Sequence, residues 1–130
     1  MNHTVKAIIY NKRQLLLQLR DDNPEIWFPN SWGLFGGTIE EKEKPYDALK
    51  RELFEELELN VQHASHAYNF EMIKYNTILF FYLVPLTQKI ENLNLNEGQD
   101  MRLFKFNQIK DLKLTESLKL NLERINSYII

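Results

Sequence analysis

With 130 residues, 44% of them hydrophobic and 26% charged, the chain has the make-up of one globular domain, residues 1–130, long enough to bury a real core. Its net charge of −2 argues against a nucleic-acid polymer as partner, and the absence of cysteine excludes disulfides, thiolate metal sites and cysteine nucleophiles. The longest apolar run, Ile78 to Pro85, is too short to span a bilayer and Met1 to Lys6 has no signal-peptide pattern, so a cytoplasmic protein with no membrane partner is expected.

Val5 to Tyr10 is rich in β-branched residues and reads as a strand, Asn11-Lys12 supplies turn chemistry, and Gln14 to Arg20 reads as a second strand of the same sheet. Asp21 to Ser31 holds two prolines and two asparagines and reads as an irregular loop. Trp27 and Phe28 sit in it. They could stack on a nucleobase, plug the underside of the loop, or form a dimer contact. Trp32 to Phe35 is expected to be a short strand leading into Gly36-Gly37, where the two glycines permit a tight turn and a close backbone approach to a ligand.

Pro45 marks the first position of a helix. At 100° per residue, Glu52, Glu55 and Glu56 then fall within an arc of about 100°. The opposite arc carries Tyr46, Leu49, Leu53 and Leu57, which reads as the buried stripe and leaves the acidic face looking outward into a cleft. Glu52 and Glu56 repel as an i, i+4 pair, and Arg51 to Glu55 recovers part of that cost. A divalent cation stabilises such a triad most easily, and oxygen ligands suit Mg²⁺ or Mn²⁺. The plain alternative is a solvated surface helix rich in Glu and Lys.

Val61 to Met72 and Asn76 to Leu86 read as two further strands with Lys74-Tyr75 near the turn, and the second is apolar enough to be central in its sheet. His63 and His66 would lie on opposite faces of a strand, a poor metal pair. Gln88 to Asp100 reads as a loop and Met101 to Phe106 as a closing strand with Leu103 and Met101 on one face. Asn107 caps a short turn over Gln108 to Leu112, and Thr115 caps a last helix from Glu116 to about Tyr128 with Leu118, Leu122 and Ile125 as its apolar stripe.

The stretch from Gly37 to Leu59 resembles the signature of the Nudix hydrolases, G-x5-E-x7-R-E-U-x-E-E-x-G-U, where U is bulky and aliphatic. Gly37, Glu43, Arg51-Glu52-Leu53, Glu55-Glu56 and Leu59 fill the pattern, and Glu58 stands where the pattern has Gly. The resemblance implies an α/β fold, an α/β/α sandwich with a mixed β-sheet between helices. It also implies hydrolysis of a phosphoanhydride in a nucleoside diphosphate derivative with Mg²⁺ as cofactor, Mn²⁺ being possible. Gly36 would lend a backbone carbonyl to the metal, Glu52, Glu55 and Glu56 would ligate it or orient water, and Glu43 and Arg51 would brace the loop onto the helix. Glu97-Gly98-Gln99 resembles a motif of mutator-type 8-oxo-dGTP diphosphatases, in which Glu97 would be a further metal ligand.

The expected partner is a nucleotide acting as a small-molecule substrate, bound by a monomer or homodimer, with Trp27, Phe28 and Gly37 as substrate-binding candidates. A (deoxy)nucleoside triphosphate cut to monophosphate and pyrophosphate is the leading reading. A nucleotide sugar or similar NDP-X compound is the alternative, and a non-catalytic nucleotide-binding domain the rival of a different class.

Overall fold

In the computed structural model, which describes residues 1–129, a ten-residue strand β1 (Asn2–Asn11) runs through the middle of a seven-stranded sheet. Its side chains alternate between two cores, as the two-residue period of a strand requires. Val5, Ala7 and Ile9 join one apolar cluster and Ile8 the other. The remaining strands are β2 (Gln14–Leu19), β3 (Trp32–Gly33) and β4 (Phe35–Thr38), then, after helix α1 (Pro45–Leu57), β5 (Ser65–Met72), β6 (Thr77–Pro85) and β7 (Asp100–Lys105). A single helical turn α2 (Phe106–Ile109) and the helix α3 (Glu116–Ile129) close the chain.

The sheet is mixed. The path runs β3-β2-β1-β6-β5, with β1 and β6 parallel from Asn2↔Thr77 to Tyr10↔Pro85 and the other pairings antiparallel. Because β6 occupies one edge of β1 along its length, β4 and β2 must share the other edge, β4 over Thr4–Ala7 and β2 over Tyr10–Asn11. The sheet therefore forks beside β1. α1 covers one face, burying Leu49, Leu53 and Leu57 against Val5, Ala7, Phe35 and Val84. α3 covers the other, where Leu118, Leu122 and Ile125 meet Ile8, Leu17 and Phe81. This is the α/β/α sandwich expected, with β6 central as its apolar run requires. Among the described residues no helix is long and apolar enough to cross a membrane.

Four local readings change. The strand expected over Trp32 to Phe35 is split in two, because Trp32–Gly33 pairs with β2 and Phe35–Thr38 with β1. Gly36 and Gly37 consequently lie in strand β4 and form no turn. The strand after α1 starts at Ser65, so His63 precedes it; Val61 and Ala64 make their apolar contacts from an irregular segment. α2 is capped at Lys105, whose N–H donates to Gln108 Oε1 at 2.7 Å, and Asn107 is already inside the helical turn. Thr115 does cap α3, its Oγ1 accepting from Leu118 N–H at 3.4 Å.

At the end of α1, Glu58 adopts the left-handed conformation (φ 54°, ψ 32°), with its N–H donating to Phe54 C=O at 2.8 Å. A side chain there costs roughly 1 kcal/mol relative to glycine. Glu58→Gly should therefore stabilise the protein by about 0.5–1 kcal/mol even after losing the Asn96 Nδ2 to Glu58 Oε2 hydrogen bond, an exposed contact of 3.1 Å. Thermal unfolding reads this as a rise of a few degrees.

Candidate active site

Strand β4 is the floor of the site because its glycines leave room for what lies above them. A Cβ on Gly36 would come within 2.0 Å of the Val5 carbonyl oxygen, and its φ of +152° is one that L side chains rarely adopt. A Cβ on Gly37 would come within 2.3 Å of the Glu52 carboxyl carbon. Gly37 thus admits the Glu52 carboxylate against the strand. Gly36 acts through its backbone, the N–H donating to Glu56 Oε2 at 3.2 Å.

Arg51 fixes α1 to the segment in front of it. Its Nε donates to Glu43 Oε2 at 2.8 Å, while Nη2 donates to Glu43 Oε1 and to the Thr38 carbonyl, each at 3.0 Å. This bidentate geometry suits guanidinium, and it holds the Glu43 carboxyl down at about 2. Arg51 Nη1 also reaches Glu52 at 3.0 Å and Glu55 at 3.5 Å. Glu43 most of all, and then Glu52, raise the Arg51 pKa in return, against the effect of burial.

The three signature carboxylates are not equivalent. Lys44 caps the helix and Pro45 opens it, as expected, but the acidic face does not all look outward. Glu56 is 2% exposed, held at the edge of the apolar stripe, whereas the Glu55 side chain is 57% exposed. Burial, then repulsion from Glu97 and Glu52, pushes the Glu56 carboxyl up to about 9. Glu52 is raised as well, chiefly by burial and against the pull of Arg51.

Among the described residues no three acidic or histidine side chains are drawn together closely enough to hold one ion. The donor set nevertheless suits a hard divalent cation. Glu52, Glu56 and Glu97 act electrostatically on one another, Glu56 is buried with a single neutral donor on its Oε2, and Gly37 leaves a cradle for Glu52. Glu55 and Glu56, with Glu97, are the residues that would hold it, and Glu52 stands beside them.

The loop carrying Glu97 is tied to the end of α1. Asn96 N–H donates to the Glu56 carbonyl at 2.8 Å and its Nδ2 to the Glu55 carbonyl at 3.1 Å, while Gln18 Nε2 donates to the Glu97 carbonyl at 2.8 Å. Gln99 Nε2 bonds the Arg20 carbonyl at 2.8 Å and Asn30 Oδ1 at 2.6 Å, so the Glu-Gly-Gln segment also anchors the Asp21 to Ser31 loop.

On the α3 side a cleft of about 610 Å³ runs from Thr38 and Lys6 past Arg20 to Trp27, Phe28 and Tyr75. Trp27 is 69% exposed and meets the Tyr75 ring edge-on at 5.2 Å, so it forms a wall of the cleft and does not plug the loop. Tyr75 is held in turn by its hydroxyl, which donates to Glu116 on α3. A second hollow of about 310 Å³ lies beyond the C-terminal end of α1, around Asn60 to His63, away from these groups.

Lys6, Arg20 and Tyr75 are cleft residues that motif reading did not single out. The signal available for Lys6 was its charge inside the apolar run VKAII. Its ammonium pKa is lowered by burial and by Arg20, against the opposing pull of Glu56, Glu52 and Glu97.

The NUDIX domain family matches residues 2–124. Over 69 residues the chain is 39% identical to the dihydroneopterin triphosphate diphosphatase of Haemophilus influenzae, a match spanning 51% of this chain and 40% of that protein. The chain thus matches less than half the length of that curated relative. Among solved structures, a MutT from work on Aliivibrio salmonicida and Vibrio cholerae superposes with a TM-score of 0.81 over 98% of both chains at 22% identity. The Methanosarcina mazei MutT protein gives 0.77 over 98% of this chain and 94% of that one at 20% identity. The NUDIX domain of Shewanella oneidensis NrtR, solved with ADP ribose, gives 0.76 over 97% and 86% at 17% identity. At these identities the structures establish a shared fold.

Proposed function

The chain belongs to the Nudix family; from that premise we propose that it is a hydrolase, cleaving a phosphoanhydride bond in a nucleoside triphosphate to give the monophosphate and pyrophosphate. The observation that carries this is a juxtaposition: Lys6 and Thr38 border the cleft whose far wall is Trp27, Phe28 and Tyr75, and the same two residues adjoin Gly36 and Arg51 of the carboxylate site. An aromatic base at one end and a polyphosphate at the other fit that layout. The H. influenzae relative is by name a triphosphate diphosphatase, which supports the same bond type. A nucleotide sugar is the alternative, supported by the ADP ribose bound to the S. oneidensis domain.

Mg²⁺, with Mn²⁺ as substitute, would neutralise the phosphate oxygens and polarise the phosphorus for attack when bound. Glu55 and Glu56 are ligands in this reading, with Glu97 and the Gly36 carbonyl completing the set. Glu52 is the group that orients the attacking water and takes its proton. It lies against Gly37 with its side chain 15% exposed, and burial raises its carboxyl, the direction a general base needs. Arg51 keeps Glu52 and Glu43 in register and does not itself touch substrate. Trp27 and Phe28 stack on the base.

A release assay tests this. The protein is incubated with Mg²⁺ and the eight common (d)NTPs, 8-oxo-dGTP, dihydroneopterin triphosphate and a panel of nucleotide sugars, with inorganic pyrophosphatase in one arm and alkaline phosphatase in the other. Phosphate released from a triphosphate in the pyrophosphatase arm is the expected result; the phosphatase arm is read for the sugar conjugates alone, which carry no terminal phosphate until they are cut. Phosphate seen only in the phosphatase arm and only from sugar conjugates moves the assignment to NDP-X compounds. For the best substrate, Trp27→Ala should raise KM by between about 5- and 150-fold, the range of one lost base–aromatic stack, with kcat changed far less.

A further inference from the structure

Lys6 is the residue whose surroundings the signature does not explain. It sits on β1 directly opposite Gly36 of β4, so its backbone flanks the residue whose N–H holds Glu56. It is partly buried, yet among the described residues its ammonium makes no hydrogen bond or ion pair with any side chain or backbone carbonyl. No buried side-chain nitrogen or oxygen in the described residues lacks a partner, so the ammonium is reached by the solvent of the cleft it lines. Arg20 acts on it electrostatically in one sense and Glu56, Glu52 and Glu97 in the other.

A lysine so placed has three donors and no acceptor. Of the other cations near the carboxylates, Arg51 is engaged by Glu43, Glu52 and Thr38, and Arg20 has its Nε bonded to the Trp27 carbonyl at 2.8 Å. Lys6 also lines the cleft that holds the aromatic wall while standing across from Gly36 of the carboxylate site. A polyphosphate running between those two ends passes its ammonium.

We propose that Lys6 is a substrate-contacting residue that binds a non-bridging phosphate oxygen, seating the polyphosphate between the aromatic wall and the carboxylate site. The assignment rests on the phosphoanhydride reading above. It explains why one cation is kept without a protein partner beside three carboxylates, since a phosphate is the anion it would otherwise lack.

The test separates Lys6 from the choice of base by using inorganic tripolyphosphate as the probe. Calorimetry with Ca²⁺ in place of Mg²⁺ measures its binding to the parent, Lys6→Met and Lys6→Arg, each first checked for unaltered thermal unfolding in buffer. One lost charge-assisted hydrogen bond predicts a loss of about 10- to 100-fold in affinity for Lys6→Met, with Lys6→Arg within about threefold of the parent. On the nucleotide found by the release assay, the same loss should appear mainly in KM. Tripolyphosphate binding by Lys6→Met equal to the parent's overturns the proposal, as does an equal loss in both variants. Lys6-dependent tripolyphosphate binding with no nucleotide hydrolysed would sink the substrate assignment while leaving the Lys6 contact standing.

Discussion

Glu56→Gln should lower kcat/KM by on the order of 10²–10⁴-fold while leaving the protein folded. Glutamine keeps the shape and can still accept the Gly36 N–H, so the packing around this 2%-exposed side chain survives. What disappears is the negative charge, the only part of Glu56 that a divalent cation needs. Addition of Mg²⁺ should raise the melting temperature of the parent and not that of the variant, because a ligand stabilises only the state it binds.

The same substitution has a pH signature. The Glu56 carboxyl titrates near 9 in the folded chain against 4.5 when unfolded, so between those values the folded state holds a proton that the unfolded state has lost. A raised carboxyl contributes stability that is fully present below about 4.5 and is lost as pH rises through 9. Lys6, with a lowered pKa, works in the opposite direction, so the informative quantity is the variant minus the parent. In chelator, Glu56→Gln should gain stability relative to the parent as pH rises from about 5 to 9, and Mg²⁺ should close that gap. A gap that does not change with pH would mean that Glu56 is ionised in the metal-free protein.

Arg51→Met is expected to cost about 2–3 kcal/mol, a lowering of melting temperature by roughly 6–10 °C for a chain of this size. Loss of a buried ion pair costs more, and the lower figure reflects the 26% exposure of the Arg51 side chain, which leaves part of the network screened by water. The variant strands the Glu43 and Glu52 carboxylates and frees the Thr38 carbonyl, so the segment before α1 loses its brace. Arg51→Lys should recover little, since an ammonium cannot span both oxygens of Glu43 and the strand carbonyl at once.

The acid limb checks the cause. Glu43 is depressed to about 2, so its contribution is present above 4.5 and fades as pH falls toward 2. Glu52, which Arg51 also pulls down, changes the gap above 4.5, so the Glu43 signature is the further narrowing of the gap between parent and Arg51→Met in that acid window. A gap that persisted unchanged at pH 2 would place the cost in packing of the Arg51 stem and not in the ion pair.

Much of this site was legible in one dimension. Helix α1 could be read because its evidence is local: Pro45 at the first turn, a leucine stripe at helical spacing and glutamates gathered on one arc. Even the brace between Glu43 and Arg51 spans only eight residues. The errors lie where a segment's conformation depends on distant partners. Gly36 and Gly37 resemble a turn in isolation, and only the arrival of β1 makes them a strand. Glu56 belongs by angle to the acidic face, but it sits at the border of the stripe and is buried once β4 closes over it.

By itself, then, the order of residues determined the carboxylate constellation, the two amphipathic helices and the alternation that makes a two-sided sheet, because all three follow from backbone periods of 3.6 and 2. Tertiary structure alone decided which glutamate is dry, that Tyr75 joins Trp27 across 48 positions of sequence, and that Lys6 faces a cleft instead of a core. Those outcomes depend on desolvation and on charges meeting across the fork between β4 and β2, and neither can be evaluated until chain segments far apart in sequence have been placed side by side.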